Sequence, residues 1–264
     1  MNIFIHELKA YRKSIIIWTA SLAALSVLYI FLYNAILPDI DAFKIVMNSM
    51  PPVVIKMLSI YVDSISTLDG FYSFAFLYII LFGAIQAMNL GVSIVSKEVR
   101  DKTADFLLTK PVSRRSIMTY KLLAALSCLI ITNVLFLALT LLATLTVTVA
   151  FSMRILLLLC ATMPFIQLIF FALGVVVSVA AKRIKSVISI SLSTVFGFFI
   201  ISMLGSVIGD EAVRYITPFQ YFNLPYIVKN GAYETRYMIV GIVFVVVAIV
   251  ASYVIYIKKD VHSV

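Results

Sequence analysis

Charged residues cut this chain into long apolar runs. No Asp, Glu, Lys or Arg occurs in 14–38, 70–96, 122–153, 155–181, 186–209 or 237–257. Each run reaches the ~20 residues that a helix rising ~1.5 Å per residue needs to cross ~30 Å of hydrocarbon. Backbone polar groups in lipid must be satisfied within their own segment, so helices are predicted. The pattern therefore predicts an all-α, polytopic membrane protein with six transmembrane helices in a single domain, 1–264.

Between the runs lie shorter elements. Residues 1–13 alternate apolar Ile3, Phe4, Ile5 and Leu8 with charged Glu7, Lys9, Arg12 and Lys13. This reads either as an amphipathic lead-in that lies along the inner leaflet before turning into the first span or as a simple charged anchor for that span. The first outer segment, 39–69, holds two short amphipathic helices, 42–50 and 53–62, divided by Pro51 and Pro52. The last outer segment, 210–236, is broken by Pro218 and Pro225 and is rich in Tyr and Phe. Such aromatics form an interfacial belt or, alternatively, a re-entrant pair of half-helices. Tight loops at 150–154 and 182–185 make the flanking spans antiparallel neighbours. Small residues at four-residue spacing mark helix-contact faces: Gly83, Ala87 and Gly91 in the second span, Ser189, Ser193 and Gly197 in the fifth.

Composition agrees with a lipid environment. Of 264 residues, 63% are hydrophobic and 12% charged, and mean hydropathy is +1.10. Ordinary soluble domains are about 45–50% apolar and about 25% charged. Fifteen of the 21 Lys and Arg fall on the side that holds both termini, which the positive-inside rule makes the cytoplasm. The net charge of +9 thus reflects topology, and nucleic acid is not expected as a partner; membrane lipids are. Cys128 and Cys160 sit at different depths, beyond disulfide reach, and read as buried thiols.

The one substantial cytoplasmic segment, 97–116, carries the most information. A helix is predicted over Lys97–Thr109, since Pro111 pushes Lys110 out of helical geometry, with Ser113 capping the helix that follows. Arg114 and Arg115 then occupy a first turn, where a cation meets the positive end of the helix dipole. Something outside the helix, a lipid phosphate or an acidic protein, must favour that placement.

The run SKEVRDKTADFLLTKPVSRR from Ser96 to Arg115, followed by Ile117 and Lys121, resembles the segment after the second span of type-2 ATP-binding-cassette (ABC) exporter permeases. Glu98, Thr103, the Leu107–Leu108 pair, Pro111, Val112, Ser113, Arg114 and Lys121 carry the likeness. The basic lead-in with Glu7, Lys9 and Arg12, and TPFQYF from Thr217 to Phe222, also fit. The resemblance implies a coupling helix seated in a cleft of a separate ATPase subunit, present in two copies. It also implies a second permease half, the same or a related chain, and short outer helices before the last span. ATP and Mg would belong to the ATPase. Glu98, Thr103, Leu107, Pro111, Arg114 and Arg115 become the expected ATPase-coupling surface, and a peptide, drug or lipid-like molecule the expected substrate, in a bacterial plasma membrane.

The chain itself contains no Gly-x-x-x-x-Gly-Lys-Ser/Thr run to cradle nucleotide phosphates. A secondary carrier or channel working without ATP is the competing reading. It is disfavoured because none of the twelve carboxylates falls within the six runs. Gln86, Asn89, Asn133 and Gln167 do fall within them, as interhelical glue or as candidates for lining a substrate path. His6 and His262 lie outside the runs and no metal or catalytic constellation is present, so an intramembrane enzyme is not expected.

Overall fold

A computed structural model describes residues 3–258 except 59, 63, 101–112, 148, 182 and 183, and of 98–100 the backbone alone. Regular structure among the described residues is helical throughout. Six helices are long and apolar enough to cross a membrane: span one (α1, Ile3–Ile36), span two (α4, Leu68–Arg100), span three (α5, Arg114–Leu145), span four (α6, Met153–Ala180), span five (α7, Val187–Ile208) and span six (α10, Thr235–Lys258). Between spans one and two lie α2 (Ile40–Asn48) and α3 (Pro52–Met57), and between spans five and six lie α8 (Glu211–Ile216) and α9 (Leu224–Asn230).

The sequence supplies the boundaries. Ser113, Ser152, Ser186, Asp210 and Asn223 each accept a hydrogen bond from a backbone N–H of the helix they precede, satisfying a donor that the first turn leaves orphaned. Gly209 and Gly231 close α7 and α9 at φ 72° and 60°, a left-handed geometry that glycine adopts without strain. Residues 3–13 depart from the leaflet-lying alternative: they continue into span one as one 34-residue helix, ~51 Å long at ~1.5 Å per residue, with no turn between lead-in and span.

The start of span one and the end of span six lie at one end of the bundle, where Lys121 of span three donates to the Ile94 carbonyl of span two. Tyr11 of span one meets Ser93 of span two, and Tyr253 of span six meets Thr119 of span three at 2.9 Å. This is called the terminal end below, and the opposite one the far end.

Span two is the hub. Of its most apolar window 78% is buried, against 17% for span six. Its main partner is span four, and span one packs on span three. Chain neighbours joined by tight loops pack less: spans three and four touch only modestly, and four and five meet through rings such as Phe170 and Phe198. The reason is shape. Gly83 faces Met163 and Gln167, and Gly91 faces Gly174. Residue numbers rise together, so spans two and four run parallel. A Cβ on Gly174 would lie 2.7 Å from the Met88 carbonyl oxygen and 2.9 Å from the Val92 nitrogen, so the two backbones approach as only glycine permits. The corresponding stripe on span five is not matched among the described residues. Ser189 and Ser193 are exposed, and Gly197 has nothing within 4 Å.

At the far end the first loop folds back. Tyr33, Ile60, Ile65, Leu68 and Phe71 form a small core against Phe43 and Met47 of α2 and Ile55 of α3, and Tyr33 donates to the Ser66 carbonyl at 2.7 Å. The loop after span three is pinned to the start of span two, where Asp69 accepts from the Ser152 N–H at 3.0 Å.

Candidate functional site

Three polar features punctuate the bundle from one end to the other. The first is an ion cluster at the terminal end. Glu7 and Lys121 are almost wholly buried, at 3% and 1% exposure. Lys97 donates to Glu7 Oε2. Lys121 Nζ lies 4.0 Å from Glu7 Oε1 and donates to the Ile94 carbonyl at 2.7 Å. Lys97 also stands 5.3 Å from the Tyr11 ring centroid. Desolvating such charges costs several kcal/mol each unless partners compensate, and here each charge has one. Lys97 and Lys121 bracket the stretch that joins spans two and three, while Glu7 reaches them from span one.

That stretch holds the predicted coupling surface. Thr103, Leu107 and Pro111 lie outside the described residues, as does the side chain of Glu98. Span two runs unbroken through Lys97 to Arg100. Span three starts at Arg114, half-buried, with Arg115 exposed, and Ser113 Oγ accepts from the Ser116 N–H at 3.2 Å. Both arginines thus stand in a capped first turn, where the helix dipole opposes them.

The second feature is a buried polar network at mid-bundle. Asn133 donates to Gln167 Oε1 at 2.6 Å, Gln167 to Gln86 Oε1 at 3.1 Å, and Gln86 to Thr132 Oγ1 at 3.0 Å. Thr19 joins through Thr132 at 3.1 Å. Spans one, two, three and four are thereby tied together. Gln86, Asn133 and Gln167 face one another, which is the geometry of interhelical glue. Asn89 is set apart. It is half-buried and lines a cavity of about 20 Å³ with Tyr11, Trp18 and Ser93, room for about one water molecule.

The third is a cavity of about 450 Å³ at the far end, within the ~300–1,000 Å³ range of small-molecule sites. Span two contributes Ser73, Phe74 and Leu77, span five Phe199, Ser202 and Met203, and the segment before span six Phe219, Gln220, Phe222 and Asn223. Lys56, Asp210 and Arg214 are its charged lining residues.

The wall from 210–236 is built by its aromatics. Phe219, Tyr221 and Phe222 are buried at 6%, 5% and 4% exposure, so this part of the segment packs inward as core; Tyr215 and Tyr226 stay exposed. Phe219 meets Phe170 and Phe199, and Phe222 stacks on Phe165. Arg214 donates to Glu234 Oε1 at 2.7 Å and lies 4.0 Å from the Tyr237 ring centroid. Burial pushes the Tyr221 and Tyr233 phenols up, so both stay protonated and donate, to the Tyr215 and Leu158 carbonyls. Gln220 donates to the Ser202 carbonyl at 2.6 Å, beside Gly205, where a Cβ would meet the Gln220 amide nitrogen at 2.8 Å.

Sequence reasoning left the Glu7–Lys97–Lys121 cluster and the far-end cavity unrecognised. Both depend on pairs far apart in the chain; Glu7 and Lys97 are 90 residues apart. The available signal was that all three charges stand at or near the borders of charge-free runs at the same end of the bundle. Among the described residues no group of His, Cys, Asp or Glu could hold a metal ion, and Cys128 and Cys160 are buried free thiols. No curated protein sequence matches the chain significantly. The family profile described as ABC-2 family transporter protein, however, matches residues 1–261. A six-span helical bundle matched over nearly its whole length belongs to the ABC-2 transporter family, as a multi-pass membrane permease component of an ABC transporter.

Proposed function

We propose that this permease is the membrane half of an exporter driven by a separate ABC ATPase docked on residues 97–116 from the cytoplasm of a bacterial plasma membrane. Two ATPase copies and a second permease half, the same or a related chain, complete the transporter. ATP and Mg are held by the ATPase. One observation carries the reading: span two, the most buried span, leads directly into that segment at the terminal end and forms a wall of the 450 Å³ cavity at the other. A displacement of the segment therefore acts on the helix that borders the cavity. Arg114 and Arg115, disfavoured by their own helix dipole, fit an acidic docking surface. Glu98, Thr103, Leu107 and Pro111 complete that surface by family resemblance. The cavity combines Phe74, Leu77, Phe199 and Phe222 with Lys56, Asp210 and Asn223, which suits an amphiphile such as a peptide, drug or lipid-like molecule.

The test is purification from native membranes. The permease is expected to bring an ABC ATPase with it. Arg114→Glu/Arg115→Glu, and separately Glu98→Ala, should weaken that association while membrane insertion stays intact. Full co-purification in both variants would remove the docking assignment, and full transport by the permease without any nucleotide-binding companion would remove the function.

A further inference from the structure

The position of Glu7 carries a mechanical role that the docking surface alone does not supply. We infer that Glu7 is a positioning residue that fastens span one to the ATPase-driven segment, so that spans one, two and three move as a block when that segment is displaced. The inference rests on the proposed docking at 97–116 and adds the path by which movement reaches span one.

The geometry is specific. A push on the stretch between Lys97 and Lys121 acts first on the helix ends that carry them. Span one has no covalent link to that stretch. Glu7 supplies a polar link to both of its ends, by ion pairing with Lys97 and by facing Lys121 at 4.0 Å. Burial makes the tie directional and hard to slip, since at 3% and 1% exposure water cannot replace the lost partner of Glu7 or Lys121. The Tyr11–Ser93 contact at 3.0 Å lies one turn deeper and is neutral, so it resists sliding less than an ion pair does. At mid-bundle, Thr19–Thr132 and Ser26–Thr140 continue the seam between spans one and three. Those contacts are neutral as well, so among the described contacts the charged clamp on span one stands where the force enters.

The experiment uses the permease purified with its ATPase, with Cys128 and Cys160 replaced by Ser. Spin labels are placed through Arg12→Cys on span one, Tyr120→Cys on span three and Lys185→Cys before span five, in the pairs 12–185 and 120–185. Distances are measured without nucleotide and after trapping with ATP and vanadate. In the otherwise native complex both distances are expected to change on trapping. In Glu7→Gln the 120–185 change should persist while the 12–185 change is lost. Because Glu7→Gln leaves buried Lys121 and half-buried Lys97 facing a neutral group, Glu7→Gln/Lys97→Met is measured beside it. This pair of changes keeps the net charge of the cluster and removes the same tie, so it should lose the same response with better folding. Span one following span three unchanged in either variant would overturn the inference, because a merely structural Glu7 would leave the response of the folded complex intact. Absence of any nucleotide response at 120–185 in the native complex would instead remove the underlying reading of an ATP-driven segment.

Discussion

At Glu7 and Lys121 two charges have exchanged water for each other and for a carbonyl. Removing one partner of a buried ion pair costs about 3–5 kcal/mol, because the other charge is left uncompensated. The three members of this cluster are not equivalent in that respect. Glu7 is the acid facing both lysines, so Glu7→Gln leaves two cations without it. Lys121→Met leaves Glu7 still bonded to Lys97, which is 19% exposed and partly hydrated. Glu7→Gln should therefore lower the thermal midpoint in detergent more than Lys121→Met does. Equal losses, measured by size-exclusion after heating, would show that Lys97 does not compensate Glu7.

Between helices, contact is decided by how close two backbones can come. Gly174 sits where span four crosses span two, and Gly174→Val should cost about 1–3 kcal/mol by forcing the crossing apart. Gly197→Ala, with nothing within 4 Å of its new methyl group and a better helix former in place of glycine, should not lower the thermal midpoint of the isolated chain. An equal loss from both would mean that the span two–span four crossing is not what holds the bundle. These two glycines also show what the sequence could and could not reveal. Bilayer thickness sets element length, so the six spans were legible from charge-free runs, and the Ser113 cap and the break at Pro51 and Pro52 were legible as local effects, although α3 stops at Met57 short of the expected residue 62. Small-residue spacing marked Gly83–Gly91 and Ser189–Gly197 alike, yet only the first has a partner among the described residues, because periodicity defines a face and not what covers it. The lead-in has two local readings for a related reason. The amphipathic alternation of 1–13 suits a helix lying along the leaflet, whereas residues 3–13 continue span one as a single helix with Glu7 buried against Lys97, as an anchor in line with the span would. A pairing 90 residues apart leaves no local trace.

Across the whole bundle the principal contacts join parallel helices, one with three and two with four, while span two, antiparallel to span five, lines the far-end cavity with it. Parallel packing aligns the helix dipoles, which is slightly unfavourable, so the arrangement depends on side-chain fit: the glycine crossing, the Gln86–Gln167 network and the ion cluster. All three lie on span two, which makes one helix the common element between the segment at 97–116 and the cavity. That link transmits force outward only if the segment faces the cytoplasm and the cavity the exterior, and the basic residues predict this orientation. The prediction is tested with a membrane-impermeant thiol reagent on intact cells, with Cys128 and Cys160 replaced. Lys56→Cys and Lys229→Cys, exposed at the far end, should be labelled directly. Lys9→Cys and Lys185→Cys, exposed at the terminal end, should be labelled only after permeabilisation. The reverse pattern would place Arg114 and Arg115 outside the cell, beyond reach of any ATP-hydrolysing partner, and the transmission from segment to cavity would lose its source of work.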